Sequence, residues 1–455
     1  MKKFIETLKN IWSIKELRDK IIFTVSLLAI FRLGSFIVLP GVVPSVLKNA
    51  ASDSSNSLFG LINTYTGGAF NQASIFALGI MPYITSSIIV QLLGFAVPYF
   101  QRLQQKEGES GRRKLNQITR IFTVFITLVQ GGGYLTYIQS LGAVDASVSP
   151  FVFWFSNSII LATGTIFCMW LGERITDKGI GNGVSMIIMI GIVAALPGAF
   201  SFEIQSQLAN NGLIIFIFEL VILFLTIIAS ILVVQGVRKI PIQFAKRMVG
   251  RGTGAMPVQT DRDYIPLKVN AAGVMPIIFA QAIMFLPLTA AQYVTGDPSL
   301  GSSGLLRTLT DPYGFWNNLI TFLLVVGFTY IYTALIVNPQ NYAEYLKRNN
   351  AFIPGIKPGP DTEEFIDTTT TRITLPGSIF LGVLTILPAI AVLFGVNSSF
   401  ARFFGGSSIL ILVGVVLDTL AQIESYLLMR KYDGLVKSGR IEGRSSTGMG
   451  PAMMG

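Results

Sequence analysis

Ten apolar runs, each near the length that crosses a lipid bilayer, punctuate this chain of 455 residues. They lie near 21–39, 75–97, 118–138, 153–172, 184–200, 213–235, 273–294, 318–337, 374–395 and 407–429. A hydrocarbon core of roughly 30 Å takes about 20 helical residues. In lipid, backbone polar groups must be satisfied within the segment, so such runs fold as helices. With 51% hydrophobic and only 13% charged residues, a set of water-soluble domains is excluded. The expected fold is an all-α polytopic membrane protein with ten transmembrane helices.

Lys and Arg set the orientation. Assigning the amino terminus, alternate loops and the tail to one side gathers all but four of the 34 basic residues there. The exceptions are Lys48, Arg307 and Arg402 on the opposite side and Arg32 within the first run. By the positive-inside rule both termini are cytoplasmic. The net charge of +10 therefore describes the cytoplasmic face and suits anionic lipids, an acidic protein or RNA phosphates. Cys168, the single cysteine, lies within a run, so no disulfide framework is available. Met1–Lys20 lacks the apolar core of a cleavable signal. It reads as an amphipathic surface helix through Phe4, Ile5, Leu8, Ile11 and Trp12, or as a loosely ordered basic tail.

Ten runs divide as five plus five, and an odd number per half forces the second half into the membrane inverted. The halves fall at 21–205 and 206–435, flanked by the segment 1–20 and a tail, 436–455, whose Gly, Ser and Met content predicts disorder. Gly79-Ile-Met-Pro82-Tyr-Ile84 returns as Gly273-Val-Met-Pro276-Ile-Ile278, each copy opening the second run of its half. Matched Gly and Pro in two such runs point to a pathway between repeats. The plainer reading is a proline kink in an ordinary span. Ile80 and Ile84, four apart, share a helical face, as do Val184 and Ile188. The latter pair follows Gly179-Ile-Gly-Asn-Gly183, a helix-start turn rather than a nucleotide loop.

The outer segment 41–74 carries Leu58, Phe59, Leu61 and Ile62 and ends in Gly67 and Gly68. Too short to span, it forms either a half-helix dipping into a cavity or an external surface helix. Three cytoplasmic loops stand out. The first holds Lys106-Glu-Gly-Glu-Ser-Gly-Arg-Arg-Lys114. The second, within 236–272, holds Arg238, Lys239, Lys246, Arg247 and Arg251, and its alternating Ile240, Ile242 and Phe244 predict a β-hairpin with prolines at unpaired edges. The third, within 338–373, is rich in Pro and Gly and presents Lys357 at a stiff tip.

Several stretches together resemble the SecY family, the channel subunit of bacterial protein translocases. They are Ala73–Ile84, Lys106–Lys114, Met169-Trp-Leu-Gly-Glu173 with Gly179–Gly183, Pro266-Leu-Lys-Val-Asn270 and Ala351-Phe-Ile-Pro-Gly-Ile356. The resemblance runs from about residue 15 to 435. It implies a channel in the bacterial plasma membrane that passes unfolded polypeptides across, or releases apolar segments sideways into lipid. Carried over residue by residue, the family's pore ring falls on Ile80, Ile84, Val184, Ile188, Ile278 and Ile411, and its plug on roughly 58–68. Its lateral gate lies between spans two and three and spans seven and eight, on Thr85, Gln91, Gln130, Gln281 and Leu286. Implied partners are the small membrane subunits SecE and SecG, the SecA motor ATPase, the ribosome, signal sequences and nascent chains. The family's usual Arg is replaced here by Lys357, which keeps the charge and loses the planar fork.

Neither catalytic residues, nor a cofactor, nor a metal is expected. With no histidine, the chain cannot build a His-Glu-x-x-His zinc site or a Ser–His dyad. A secondary transporter with inverted five-helix repeats is the main rival. It needs ionisable groups near the midplane, and runs two, five and seven contain none. An inert scaffold leaves the two matched Gly-Pro openings without a purpose.

Overall fold

The computed structural model describes residues 12–44, 46–47, 63–105, 108–145, 147–209, 212–244, 248–249, 256–257, 263–281, 283–284, 311 and 313–437. The first half holds α1 (Lys15–Gly34), α2 (Met81–Ala96), α3 (Pro98–Gln105), α4 (Gly108–Ser140), α5 (Pro150–Lys178) and α6 (Gly183–Ala209). The second holds α7 (Leu213–Gln235), a short helix over 275–281, α8 (Phe315–Ile336), α9 (Pro339–Arg348), α10 (Pro360–Leu393), α11 (Ser398–Ala401) and α12 (Gly406–Lys437). Five short strands lie between α7 and α10: β1 (Val237–Phe244), β2 (Met248–Val249), β3 (Met256–Pro257), β4 (Asp263–Lys268) and β5 (Ala351–Phe352).

Among the described residues seven helices are long and apolar enough to cross a membrane, or eight if α2 and α3 are one broken span. The protein is thus a multi-pass membrane protein. Two of the expected spans differ from their apolar runs. The first run extends to 39, yet α1 stops at Gly34 because the chain turns and pairs in extended form. Leu39 N–H donates to Ala73 O at 2.8 Å and Ile75 N–H to Ile37 O at 2.9 Å. Those bonds also hold residues 75–80 in turns, so the second helix starts at Met81 rather than 75. Of the run 273–294, residues 285–294 lie outside the described residues.

Burial separates lipid from core. On α7, Ile214, Phe218, Phe224 and Leu225 are exposed, the side that faces lipid tails. The central core joins α1, α2, α5, α6, the 275–281 helix, α8 and α12 through Phe31, Ile84, Leu171, Ile188, Phe279 and Ile411. Small residues let these helices approach closely. A Cβ on Gly183 would stand 2.0 Å from Gly172 O, and one on Gly164 would stand 2.2 Å from Ile75 O.

The hairpin expected from alternation is present. β1 and β4 pair antiparallel with Ile240 opposite Ile265, and Ile240 and Ile242 are buried. Pro241 sits where β1 has β4 alone beside it, since β5 joins only at Gln243 and Phe244. The sequence reading treats the last two cytoplasmic loops as separate. The structure corrects this: β5 from the later loop adds to β1, giving the order β4-β1-β5. Ile353 and Ile366 then complete one small core with Ile240, Ile242 and Leu267.

Candidate functional site

The two copies of Gly-x-Met-Pro adopt one local conformation. Gly79 has φ +54° and Gly273 +63°, a region that costs a glycine little. Two residues on, α2 starts at Met81, and the second helix starts at 275. Pro82 and Pro276 therefore occupy the first helical turn, where a missing N–H is no loss. The matched prolines therefore open helices rather than kink them. Prolines inside helices occur elsewhere, at Pro197, Pro376 and Pro388.

This start places Ile80 and Ile84 at the first turn of α2, with Ile84 N–H donating to Ile80 O at 3.1 Å. Val184 and Ile188 open α6, Ile278 lies in the 275–281 helix, and Ile411 lies in α12. Four of these six side chains, those of Ile80, Ile84, Ile188 and Ile411, are buried in a single cluster, and Val184 and Ile278 pack against it. None of the six positions is itself an acid, a base or an amide. Gly172 makes room for the ring residues of two helices. A Cβ there would stand 3.3 Å from Val184 Cγ2 and 3.5 Å from Ile80 Cδ1.

The Gly179–Gly183 cluster has its donors occupied. Ile180 N–H donates to Thr24 Oγ1 at 3.0 Å, Gly181 N–H to Gln422 Oε1 at 2.9 Å, and Gly183 N–H to Thr176 Oγ1 at 2.9 Å. It is a helix-start turn clamped between α1 and α12, with no cradle for a phosphate.

Of the residues assigned to the plug, Leu58, Phe59, Leu61 and Ile62 lie outside the described residues. Gly67 and Gly68 follow the helical turn 63–65, which is tied down on several sides. Arg32 Nη1 donates to Gly67 O at 2.5 Å, Arg402 Nη1 to Thr64 Oγ1 at 3.3 Å, and Tyr65 OH to Gln281 Oε1 at 2.8 Å. On α6, a Cβ at Gly191 would stand 2.2 Å from Tyr65 O. Arg32, the lone charge in the first run, thus has a backbone acceptor at Gly67.

Among the gate residues, Thr85 is buried and donates within its own helix to Met81 O at 3.1 Å. Gln91 Nε2 donates to Ser87 Oγ at 3.1 Å, while its Oε1 accepts from Tyr332 OH on α8. Gln130 is half-buried on α4, Gln281 carries the bond to Tyr65, and Leu286 lies outside the described residues. Tyr65 and Tyr332 were missed from sequence, and both reach across from one half to the other.

Arg238 and Lys239 are exposed on β1, and Lys239 Nζ sits 4.6 Å over the Tyr264 ring. Lys357 is exposed, with its carbonyl held by Thr362 Oγ1 at 2.8 Å. Lys246, Arg247 and Arg251 lie outside the described residues.

A multi-pass helical fold in which two matched helix openings meet at one aliphatic cluster is the fold of a membrane channel. The chain belongs to the SecY family, whose model matches residues 74–420. It is 42% identical to the protein translocase subunit SecY of Halalkalibacterium halodurans over 95% of this chain and 99% of that one. With the same subunit of Chlamydia trachomatis it shares 38% identity over 96% of this chain and 99% of that one. Among solved structures, a protein-conducting channel has a TM-score of 0.62 at 18% identity, covering 90% of this chain and 92% of that chain. Sec61 in a canine ribosome–channel complex from the endoplasmic reticulum gives 0.58 at 17%, with the same coverage.

Proposed function

We propose that this chain is the protein-conducting channel of a translocase, passing unfolded polypeptides across the bacterial plasma membrane and releasing apolar segments into lipid. The observation that carries this is the convergence of Ile80, Ile84, Val184, Ile188, Ile278 and Ile411 from four helices on one apolar cluster. A polypeptide channel must admit side chains of any chemistry and leak no ions at rest. Branched aliphatic side chains offer water and ions no hydrogen bonds, so a narrow ring of them dewets. They also yield around a passing chain.

The seam for lateral release lies between α2 and α4 on one side and the 275–281 helix and α8 on the other. Thr85, Gln91, Gln130, Gln281 and Leu286 are its residues, with Tyr332 bonded to Gln91 and Tyr65 to Gln281 across the two halves. A segment of about 20 apolar residues partitions outward there, while a central charge costs roughly 2.5–3.5 kcal/mol. Residues 58–68 act as the plug beneath the ring. The three-stranded sheet with Lys357, together with the 245–262 tip, docks the SecA motor or the ribosome. SecE and SecG flank the helices, and anionic lipids meet the basic face. Both termini are cytoplasmic, and the chain itself is no enzyme, so drive comes from a partner or the membrane potential. A secondary transporter is not favoured, since none of the six ring positions is Asp, Glu, Lys or Arg.

The test is reconstitution with the small subunits, the motor and a precursor in sealed vesicles. Motor-dependent protection of the precursor from added protease is the expected result. Vesicles that accumulate a small solute and protect no precursor would return the transporter reading.

A further inference from the structure

Two acids meet at the outer ends of α6 and α7, apart from the ring cluster. The helical backbone of α6 continues past Pro197 to Ala209, beyond the apolar run that ends near 200. Gly212 N–H then donates to Gln207 O at 2.8 Å and closes the turn into α7. This brings Glu203 and Gln207 against Glu219, and the three are 0%, 6% and 3% exposed. Gln207 Nε2 donates to Glu203 Oε1 at 2.8 Å and to Glu219 Oε1 at 3.2 Å. Glu203 Oε2 accepts from the Asn397 backbone N–H at 3.1 Å. The fourth oxygen, Glu219 Oε2, is buried with no hydrogen-bond partner.

No cation answers this pair. Neither acid belongs to an ion pair among the described residues. Arg402, just after α11, directs donors to Ser398 O, Thr64 Oγ1 and Ser399 Oγ, each at 3.3 Å. Tyr313 OH donates to Ser398 O at 3.1 Å. On α12, Asp418 and Glu424 are exposed. The acids of α10, Asp361, Glu363, Glu364 and Asp367, lie at its cytoplasmic start. The neighbouring core is apolar, built from Phe200, Leu220, Leu223, Val396, Phe400 and Phe404.

Two ionised carboxylates here would each lose several kcal/mol of hydration and would repel one another. One shared amide cannot offset both costs. Carboxylates that share a site solve this by keeping a proton between them. The vacant oxygen says where the proton goes. We propose that Glu203, Gln207 and Glu219 form a proton-binding site in which Glu219 is the neutral acid and Glu203 the carboxylate. The reaction is uptake of one H⁺ by the Glu219 carboxylate, which takes the pair from two negative charges to one. Its outward location rests on the topology proposed above, so the proton exchanges with the outer compartment. Losing it sets α7 against α6 and against the turn at Asn397, which connects α10 to α11.

The experiment uses the full chain in lipid nanodiscs. Infrared difference spectra of wild type minus Glu219→Gln should show the C=O band of a protonated carboxyl at neutral pH. A second measurement is of stability. Because the folded state binds the extra proton, wild-type stability should fall, relative to Glu219→Gln, as pH rises from about 4.5 to about 7, and the difference should level off above that. The thermal midpoint of Glu219→Gln should lack this component. Absence of the carboxyl band in wild type at neutral pH would overturn the proposal, as would a wild-type midpoint that rises with pH relative to that variant. A midpoint raised by added sodium or calcium ions, with no carboxyl band, would reassign the site to a metal cation.

Discussion

Tyr332 on α8 donates its hydroxyl hydrogen bond to Gln91 Oε1 on α2, joining two helices of opposite halves. The residues lie 241 apart in sequence. Nothing else in α2 reaches α8 through a polar contact among the described hydrogen bonds. One hydrogen bond between α2 and α8 is easily broken, as the proposed lateral opening requires.

Removing that bond should ease opening. A neutral hydrogen bond contributes about 0.5–1.5 kcal/mol net, or roughly a 2- to 10-fold shift in the closed–open balance. Tyr332→Phe is therefore expected to raise export of precursors with weakened signal sequences several-fold while leaving strong signals near wild type. Unchanged export of the weak precursors would show that the bond does not hold the seam.

Locking the same pair should do the opposite. With Cys168 replaced first, Gln91→Cys with Tyr332→Cys puts one thiol on α2 and one on α8, to be joined by a short, reducible bifunctional crosslinker. Crosslinking should stop insertion of apolar segments, and reductive cleavage of the linker should restore it. Full activity in a completely crosslinked sample would remove α2 and α8 from the gate.

The plug segment gives a steric prediction. In Gly191→Ala the new methyl would stand 2.2 Å from Tyr65 O and 3.1 Å from Gly67 N, so the 63–68 turn must shift. The helix itself gains from alanine, by about 1 kcal/mol. The variant is expected to insert and fold, yet to lose the Tyr65–Gln281 bond and leak ions intermittently at rest. A tight, quiet channel would show that the turn is not needed for the seal.

Docking is tested by charge reversal. Lys357→Glu and Arg238→Glu change exposed side chains on the cytoplasmic platform and touch none of its core. Each should weaken motor-driven export and ribosome binding, with the melting temperature held within about 2–4 °C. Wild-type export and ribosome binding in both variants would reduce these loops to topology signals.

Much of the architecture was legible because lipid imposes a simple rule of length and hydropathy. The spacing of Ile80 with Ile84 and of Val184 with Ile188, and the repeat that ends in Ile278, drew attention to five ring positions before any geometry was known. Ile411 came from family resemblance alone, since its run has no distinguishing pattern. Tyr65 and Tyr332 were invisible for a physical reason: a tyrosine in an aromatic-rich chain has no spacing signature, and its partner is chosen by tertiary packing. Glu203 was overlooked because hydropathy fades near residue 200 while the helical backbone continues to Ala209. Pro82 and Pro276 alone are compatible with kinks; the glycine three residues earlier, at positive φ, marks each as the first turn of a helix.

The most direct measurement is resting conductance in planar bilayers, without substrate, for Ile84→Asn and for the double variant Ile84→Gly with Ile278→Gly. Both put polar or missing side chains into the aliphatic cluster, so water should wet the constriction. Wild type should be silent, and both variants should pass ions in discrete openings. Near-zero conductance in both, with the proteins folded and inserted, would contradict the assignment of the isoleucine ring as the seal.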